Sequence, residues 1–203
     1  MIHTVALAWL AATPALASVP VSEPVSEPVS EPVSEQVRVE ADGTTPLSHE
    51  VVIAADPPSV WAAISTIDGW KTWAVPVGWV AGGQPNVFET SYNPGARPGD
   101  PMNIKNEFVA TIRGRELRFR TVKAPEGFPH LEALRQVTQT FVLTPEGEGT
   151  RVRLTGTGYS NGEPGKAVLA FFKGGNRVSL EMLRDRFESG PIDWAEKLKK
   201  PLK

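Results

Sequence analysis

From about Ser48 to Tyr159 the chain alternates apolar and polar residues in short runs, and after Pro164 the period lengthens to that of a helix. HEVVIA at His49 to Ala54 reads as a first strand. Asp56-Pro57-Pro58-Ser59 then opens a helix, with Asp56 as its cap and the prolines in the first turn, where no N–H bond is lost. Ile67 to Ala74 reads as a second short helical turn. Residues 82–101 are rich in Pro, Gly and Asn and read as loop, with one short strand around Phe88 to Tyr92. Four clearer strands come next. Ile104 to Ile112 places Ile104, Asn106, Phe108, Ala110 and Ile112 on one face. Glu116 to Val122, Gln136 to Thr144 and Arg151 to Tyr159 alternate in the same way, and Ala124 to Arg135 is a longer connection. From Pro164 to Ser189, residues Val168, Phe171, Phe172, Val178, Met182, Leu183 and Phe187 recur near helical spacing. Gly174-Gly175 is a weak point expected to kink or split that helix, and Gly190-Pro191 stops it. Alternation of this kind means one buried and one wet face, as in an antiparallel sheet. The expectation is an α+β domain: a curved antiparallel sheet of six to seven strands wrapped on a long C-terminal helix, with two short helices after the first strand.

The N-terminal region has a different pattern. Val5 to Leu16 is apolar and ends in Ala15-Leu16-Ala17, which predicts a signal peptide over 1–17 and a secreted or periplasmic protein. The run is too short to cross a bilayer, so no integral membrane span is expected in the mature chain. VSEP then repeats from Val21, Val25 and Val29, closing with VSEQ from Val33. Proline at every fourth residue forbids a regular helix, which predicts a disordered linker over 18–36. The folded domain is expected over 37–190 and a polar tail over 191–203.

Composition narrows the chemistry. With 21 basic and 23 acidic residues the formal charge is -2, which gives no electrostatic case for nucleic acid. There is no cysteine, so thiolate metal sites and a cysteine nucleophile are excluded. The three histidines have no metal-ligand spacing, no serine lies in a nucleophile elbow, and no glycine loop opens a helix after a strand. No metal, cofactor or catalytic constellation is expected. Arg118, Arg120, Arg151 and Arg153 read as a solvated outer face with acidic partners across the strands.

VVIAADPPSVWAAISTIDGWKTW resembles the opening strand and helix of the START-like superfamily, whose fold is the helix-grip. It is most similar to the branch of polyketide cyclase/dehydrase-like and Hsp90-ATPase-activator-homologue-like domains. FVLTPEGEGTRVRLTGTGY resembles the last hairpin of that branch, and Val178 to Phe187 its final helix. The resemblance implies a cavity between sheet and C-terminal helix that holds a small hydrophobic or amphipathic molecule. It carries over no catalytic residue.

The expected cavity residues are Trp70, Trp73, Trp79, Tyr92, Asn106, Phe108, Phe119, Gln139, Phe141, Phe171, Phe172 and Met182. The three tryptophans are placed at the mouth, where a ring meets an apolar ligand. Asn106 and Gln139 fall on apolar strand faces. Either they are buried amides that need partners, or a slip in register turns them outward. Of Phe171 and Phe172, one faces the cavity and one packs at its edge. Three functions are compatible with these readings: a binding domain; a cyclase/aromatase- or hydratase-type enzyme with Asn106, Gln139, His49 and Tyr159 as first suspects; or a chaperone-cofactor-like interaction module.

Overall fold

The computed structural model describes residues 31–39 and 44–199. The expected signal peptide and the repeats before residue 31 lie outside the described residues. Eight antiparallel strands form one sheet: β1 (Ser34–Val37), β2 (Leu47–Ile53), β3 (Val77–Val80), β4 (Val87–Ser91), β5 (Ile104–Ile112), β6 (Glu116–Lys123), β7 (Thr138–Glu146) and β8 (Gly149–Thr157). Their spatial order is β1-β2-β8-β7-β6-β5-β4-β3. Helices α1 (Pro57–Ser65) and α2 (Ile67–Lys71) come after β2. α3 (Leu131–Gln136) links β6 to β7, α4 (Glu163–Ser189) is the long closing helix, and α5 (Trp194–Lys197) lies beyond it. This is the expected helix-grip architecture, with one or two strands more than the alternation showed.

The added strands are short, and each has a physical reason. β3 is only four residues and ends at the exposed Val80. β1 is the last repeat, placed against β2 with Gln36 opposite Ser48. Arg38 donates its backbone N–H to the Pro46 carbonyl at 3.3 Å, so alternation turns the Gln36 N–H toward β2 as well. A proline there, as in the earlier repeats, has no N–H to give. Residues 34–36, expected within the linker, are therefore strand. The expected tail is also ordered in part: Ile192 N donates to the Thr72 carbonyl (2.9 Å) and Trp194 Nε1 to the Lys71 carbonyl (2.7 Å). α3 was not legible because a six-residue helix is shorter than the window that reveals a period.

α1 begins as expected, with the Asp56 carboxylate accepting from Ser59 N at 2.6 Å. α4 runs unbroken through Gly174 and Gly175. Its buried stripe is Gly165, Val168, Asn176, Leu180 and Leu183, so Phe171 and Val178, expected within the stripe, lie outside it at 53% and 47% exposed. The core between helix and sheet joins Val51, Ile53, Val152, Leu154, Phe141 and Leu117 to Leu180, Leu183 and α1. In β5, a register shift between Phe108 and Ala110 reverses the face of the residues after it. Ile112, expected inside, is 53% exposed for that reason.

Candidate functional site

The concave face of the sheet is read from its register. Leu47, His49 and Val51 of β2 lie beside Gly156, Leu154 and Val152 of β8. Gln139 and Phe141 of β7 continue to Phe119 and Leu117 of β6, and Phe108 and Asn106 of β5 complete the face beside Phe88 of β4. Asn106 and Gln139 thus face inward, at 7% and 3% exposed. The inward register is the one realised.

Polar side chains form two short relays on this face. In the first, Asn176 Nδ2 on α4 donates to Gln139 Oε1 (3.2 Å), and Gln139 Nε2 donates to the Tyr159 hydroxyl (3.4 Å). Gly156 makes this possible, because a Cβ there would overlap the Tyr159 hydroxyl. Burial raises the Tyr159 phenol pKa well above its ordinary value, so the group stays protonated. In the second relay, Thr121 Oγ1 donates to Asn106 Oδ1 at 2.9 Å. Asn176 and Thr121 were not expected here. Asn176 had a sequence signal, since it is the one amide at α4 spacing with Val168, Leu180 and Leu183.

His49 is fully buried at the β1 end of the face. Its Nε2 meets Glu35 Oε2 at 3.2 Å, and Glu35 Oε1 meets Lys173 Nζ of α4 at 3.0 Å. Glu35 thereby ties edge strand, sheet and helix together. Burial lowers the His49 pKa against the opposing pull of Glu35 and the Lys173 carbonyl, while Arg177 of α4 lowers it further. The hydrogen bond from Lys173 lowers the Glu35 pKa, with burial opposing it. Unfolded His49 takes up its proton near its ordinary value of 6.5, and folded His49 does so only at lower pH. Its contribution to stability is therefore full above about pH 6.5 and declines as pH falls toward the lowered folded value. The Glu35 contribution is present above 4.5 and declines below it, as pH falls through the folded value. In denaturant melts, the wild type should lose stability between pH 7 and 5.5, and His49→Gln should flatten that part of the slope. An unchanged slope in the variant would remove His49 as its source.

The aromatic candidates divide into two sets. Trp70 and Trp73 are buried, at 6% and 3% exposed, and they donate their indole N–H groups to the Ile64 (2.6 Å) and Ala63 (2.9 Å) carbonyls. They pack as core and do not form a mouth, because α2 folds back on α1. Trp70 packs edge-on to Phe88, Phe108 and Phe119 with centroids 5.9–6.2 Å apart, and Phe119 stacks on Phe141 at 5.9 Å. Trp79 pairs with Glu89 and therefore lies on the convex face. Phe172 packs by Tyr159 at 6.1 Å, while Phe171 meets Phe128 of the β6–α3 connection at 5.5 Å.

What stays open is one flank of α4. Lys173 and Arg184 face β1, through Glu35 and the Glu31 carbonyl (2.9 Å). Helical geometry puts Phe171, Gly175 and Met182 on the opposite flank, toward β7, β6 and β5. A Cβ at Gly174 or Gly175 would meet no atom within 4 Å. Across from this flank, alternation from Phe88 turns Tyr92 to the concave side. Tyr92 is 60% exposed, yet crowding of its hydroxyl by protein raises the phenol pKa. The loop bearing Tyr92 is pinned. Burial pushes the Glu89 carboxyl up, but bonds from Asn103 Nδ2 (2.8 Å), Gly99 N (2.6 Å) and Lys105 outweigh it and hold the pKa low. Lys123 Nζ adds bonds to the carbonyls of Asp100, Pro101 and Asn103 at 2.7–3.0 Å.

His49, Phe141 and Leu180 are buried between the sheet and α4. Two recesses lie elsewhere, of about 270 Å³ beside α3 (Arg120, Val122, Arg135) and about 630 Å³ by the β7–β8 hairpin (Val52, Glu146, Glu188), and none of the twelve expected residues lines either. On the convex face all four arginines are paired with glutamates: Arg118 with Glu116, Arg120 with Glu107, and both Arg151 and Arg153 with Glu50. Among the described residues no acidic, histidine or cysteine cluster is suited to a metal, and no helix is long and apolar enough to cross a membrane.

Residues 44–188 match the family model described as polyketide cyclase/dehydrase and lipid transport. Similar solved structures include the Aha1 dimer from Colwellia psychrerythraea, at 20% identity and TM-score 0.55, covering 71% of this chain and 97% of that one. CalU16 from Micromonospora echinospora is 19% identical with TM-score 0.51, covering 84% of this chain and 90% of that one. XoxI from Bacillus cereus is 18% identical with TM-score 0.53, covering 71% and 96%. At these identities the likeness shows the fold. No curated protein matches the chain.

Proposed function

The chain belongs to the polyketide cyclase/dehydrase and lipid transport family, and on that premise we propose that it binds a small apolar or amphipathic molecule in the cleft beside α4. The observation that carries this reading is the flank of Phe171, Gly175 and Met182, where a Cβ at Gly175 would meet no atom within 4 Å, beside a face that buries two amides. An apolar surface with a few convergent polar groups suits a ligand with an apolar body and a polar end. Binding is favoured over catalysis because the buried acid–base candidates are engaged elsewhere. His49 is held by Glu35 at the far end of the face, and Glu89 is held by Asn103 and Lys105 on the convex side. The reading extends to export and tethering, supported by the apolar N-terminus and the proline repeats.

Native mass spectrometry of the chain exported from a heterologous host, with organic extraction of the same sample, tests this. An extractable small molecule at one per chain is the expected result. Protein that stays empty and takes up no neutral apolar compound added to saturation would overturn it.

A further inference from the structure

We infer that Asn161 is a site of spontaneous backbone modification, converting through a cyclic imide to aspartate and isoaspartate where the chain enters α4. Asn161 is the one asparagine of the chain followed by glycine. The conversion starts when the backbone nitrogen of the next residue attacks the side-chain amide carbon. It needs a free amide side chain, a free N–H after it, and no Cβ to hinder the approach. The β8–α4 connection supplies all three. Asn161 is exposed and lies between strand and helix. Among the described residues neither its side chain nor the Gly162 N–H has a hydrogen-bond partner. Gly162 is the N-cap of α4 and uses only its carbonyl, which accepts from Lys166 N at 3.0 Å. A Cβ at Gly162 would touch only Pro164 Cδ, at 3.7 Å, so the space around the attacking nitrogen is open.

The other asparagines each lack a condition. Asn103, Asn106 and Asn176 are buried, and Asn86 Nδ2 donates to Glu107 Oε1 and the Phe108 carbonyl. Asn93 is exposed but precedes a proline, which has no N–H. Asp68-Gly69 could form the same imide, but Gly69 N is held by Thr66 Oγ1 at 2.9 Å inside α2. The reaction needs only water. The bond from Gly162 N to Asn161 Cγ forms, the Cγ–Nδ2 bond breaks, and Nδ2 leaves as ammonia with the Gly162 proton. Water then opens the ring. Opening at Cγ gives aspartate, and opening at the main-chain carbonyl gives isoaspartate, with an extra methylene in the backbone. The two products act oppositely on α4. A carboxylate just before the helix suits its dipole. An extra methylene displaces a connection in which Gly165 already lies against the Ser160 carbonyl.

The test is peptide mapping by mass spectrometry of the full chain after incubation in mildly alkaline buffer, where more of the attacking nitrogen is deprotonated. The Asn161 peptide should gain the mass difference between water and ammonia, and should resolve chromatographically into aspartate and isoaspartate products. Gly162→Ala should slow the conversion at least tenfold, and its Cβ fits, so the fold is kept. Thermal melts of the separated products should place the aspartate form above the isoaspartate form. A folded chain that stays unmodified while the same chain in denaturant converts would overturn the inference, and this comparison needs no variant. Equal rates in the wild type and Gly162→Ala would overturn it as well.

Discussion

Trp70→Ala lowers the unfolding free energy by about 3–5 kcal/mol, the range for removing a fully packed aromatic side chain. The ring is central to the β4–β6 half of the grip. It is 6% exposed, packs on Phe88, Phe108 and Phe119, and ties α2 to α1 through its bond to the Ile64 carbonyl. Deleting it removes the indole area, leaves a cavity among three phenylalanines and strands a buried carbonyl. Denaturant midpoints read the loss directly. A loss below about 1 kcal/mol would mean the ring is not packed as described, and would reopen its expected place at a ligand mouth.

The glycines of α4 should respond in opposite directions to one substitution. Gly165→Ala places a methyl group on the Ser160 carbonyl oxygen, a backbone atom that moves only if the β8–α4 connection moves. A loss of roughly 1–3 kcal/mol is expected, as for overpacking in a core. Gly175→Ala meets nothing within 4 Å at a helical position, so it should gain about 0.5–1 kcal/mol from restricted backbone freedom in the unfolded chain. Thermal unfolding of the two variants side by side separates them. If Gly175→Ala is also destabilising, the flank is filled and there is no cleft.

Sequence patterns treat these glycines alike, and the folded chain does not. Gly174-Gly175 looks like a flaw in a helix when only propensity is considered. In the folded chain the helix is held by packing on its other side, at Val168, Leu180 and Leu183, and the glycines leave room. The strands β5, β6, β7 and β8, the α1 cap and the inward amides were legible because each obeys a period or a fixed offset. Ile112 was misplaced because a bulge has no signature in alternation alone. Trp70 and Trp73 were placed at the mouth of the expected cavity, as rings that could meet an apolar ligand. Their burial depends on how α2 folds back on α1, a tertiary fact with no local pattern. Glu35 was hidden inside a low-complexity repeat, where its difference from Glu23, Glu27 and Glu31 is only the glutamine after it.

The cleft beside α4 can be probed by titrating the full chain and its Gly175→Leu variant with N-phenyl-1-naphthylamine, a neutral dye whose emission rises in apolar surroundings. The leucine side chain enters the open flank without touching the buried stripe, so fold and stability should be kept. An apolar cleft at this place predicts saturable one-to-one binding by the wild type and at least a tenfold loss of affinity in the variant. Equal affinity in the two proteins would place the dye elsewhere and contradict the cleft.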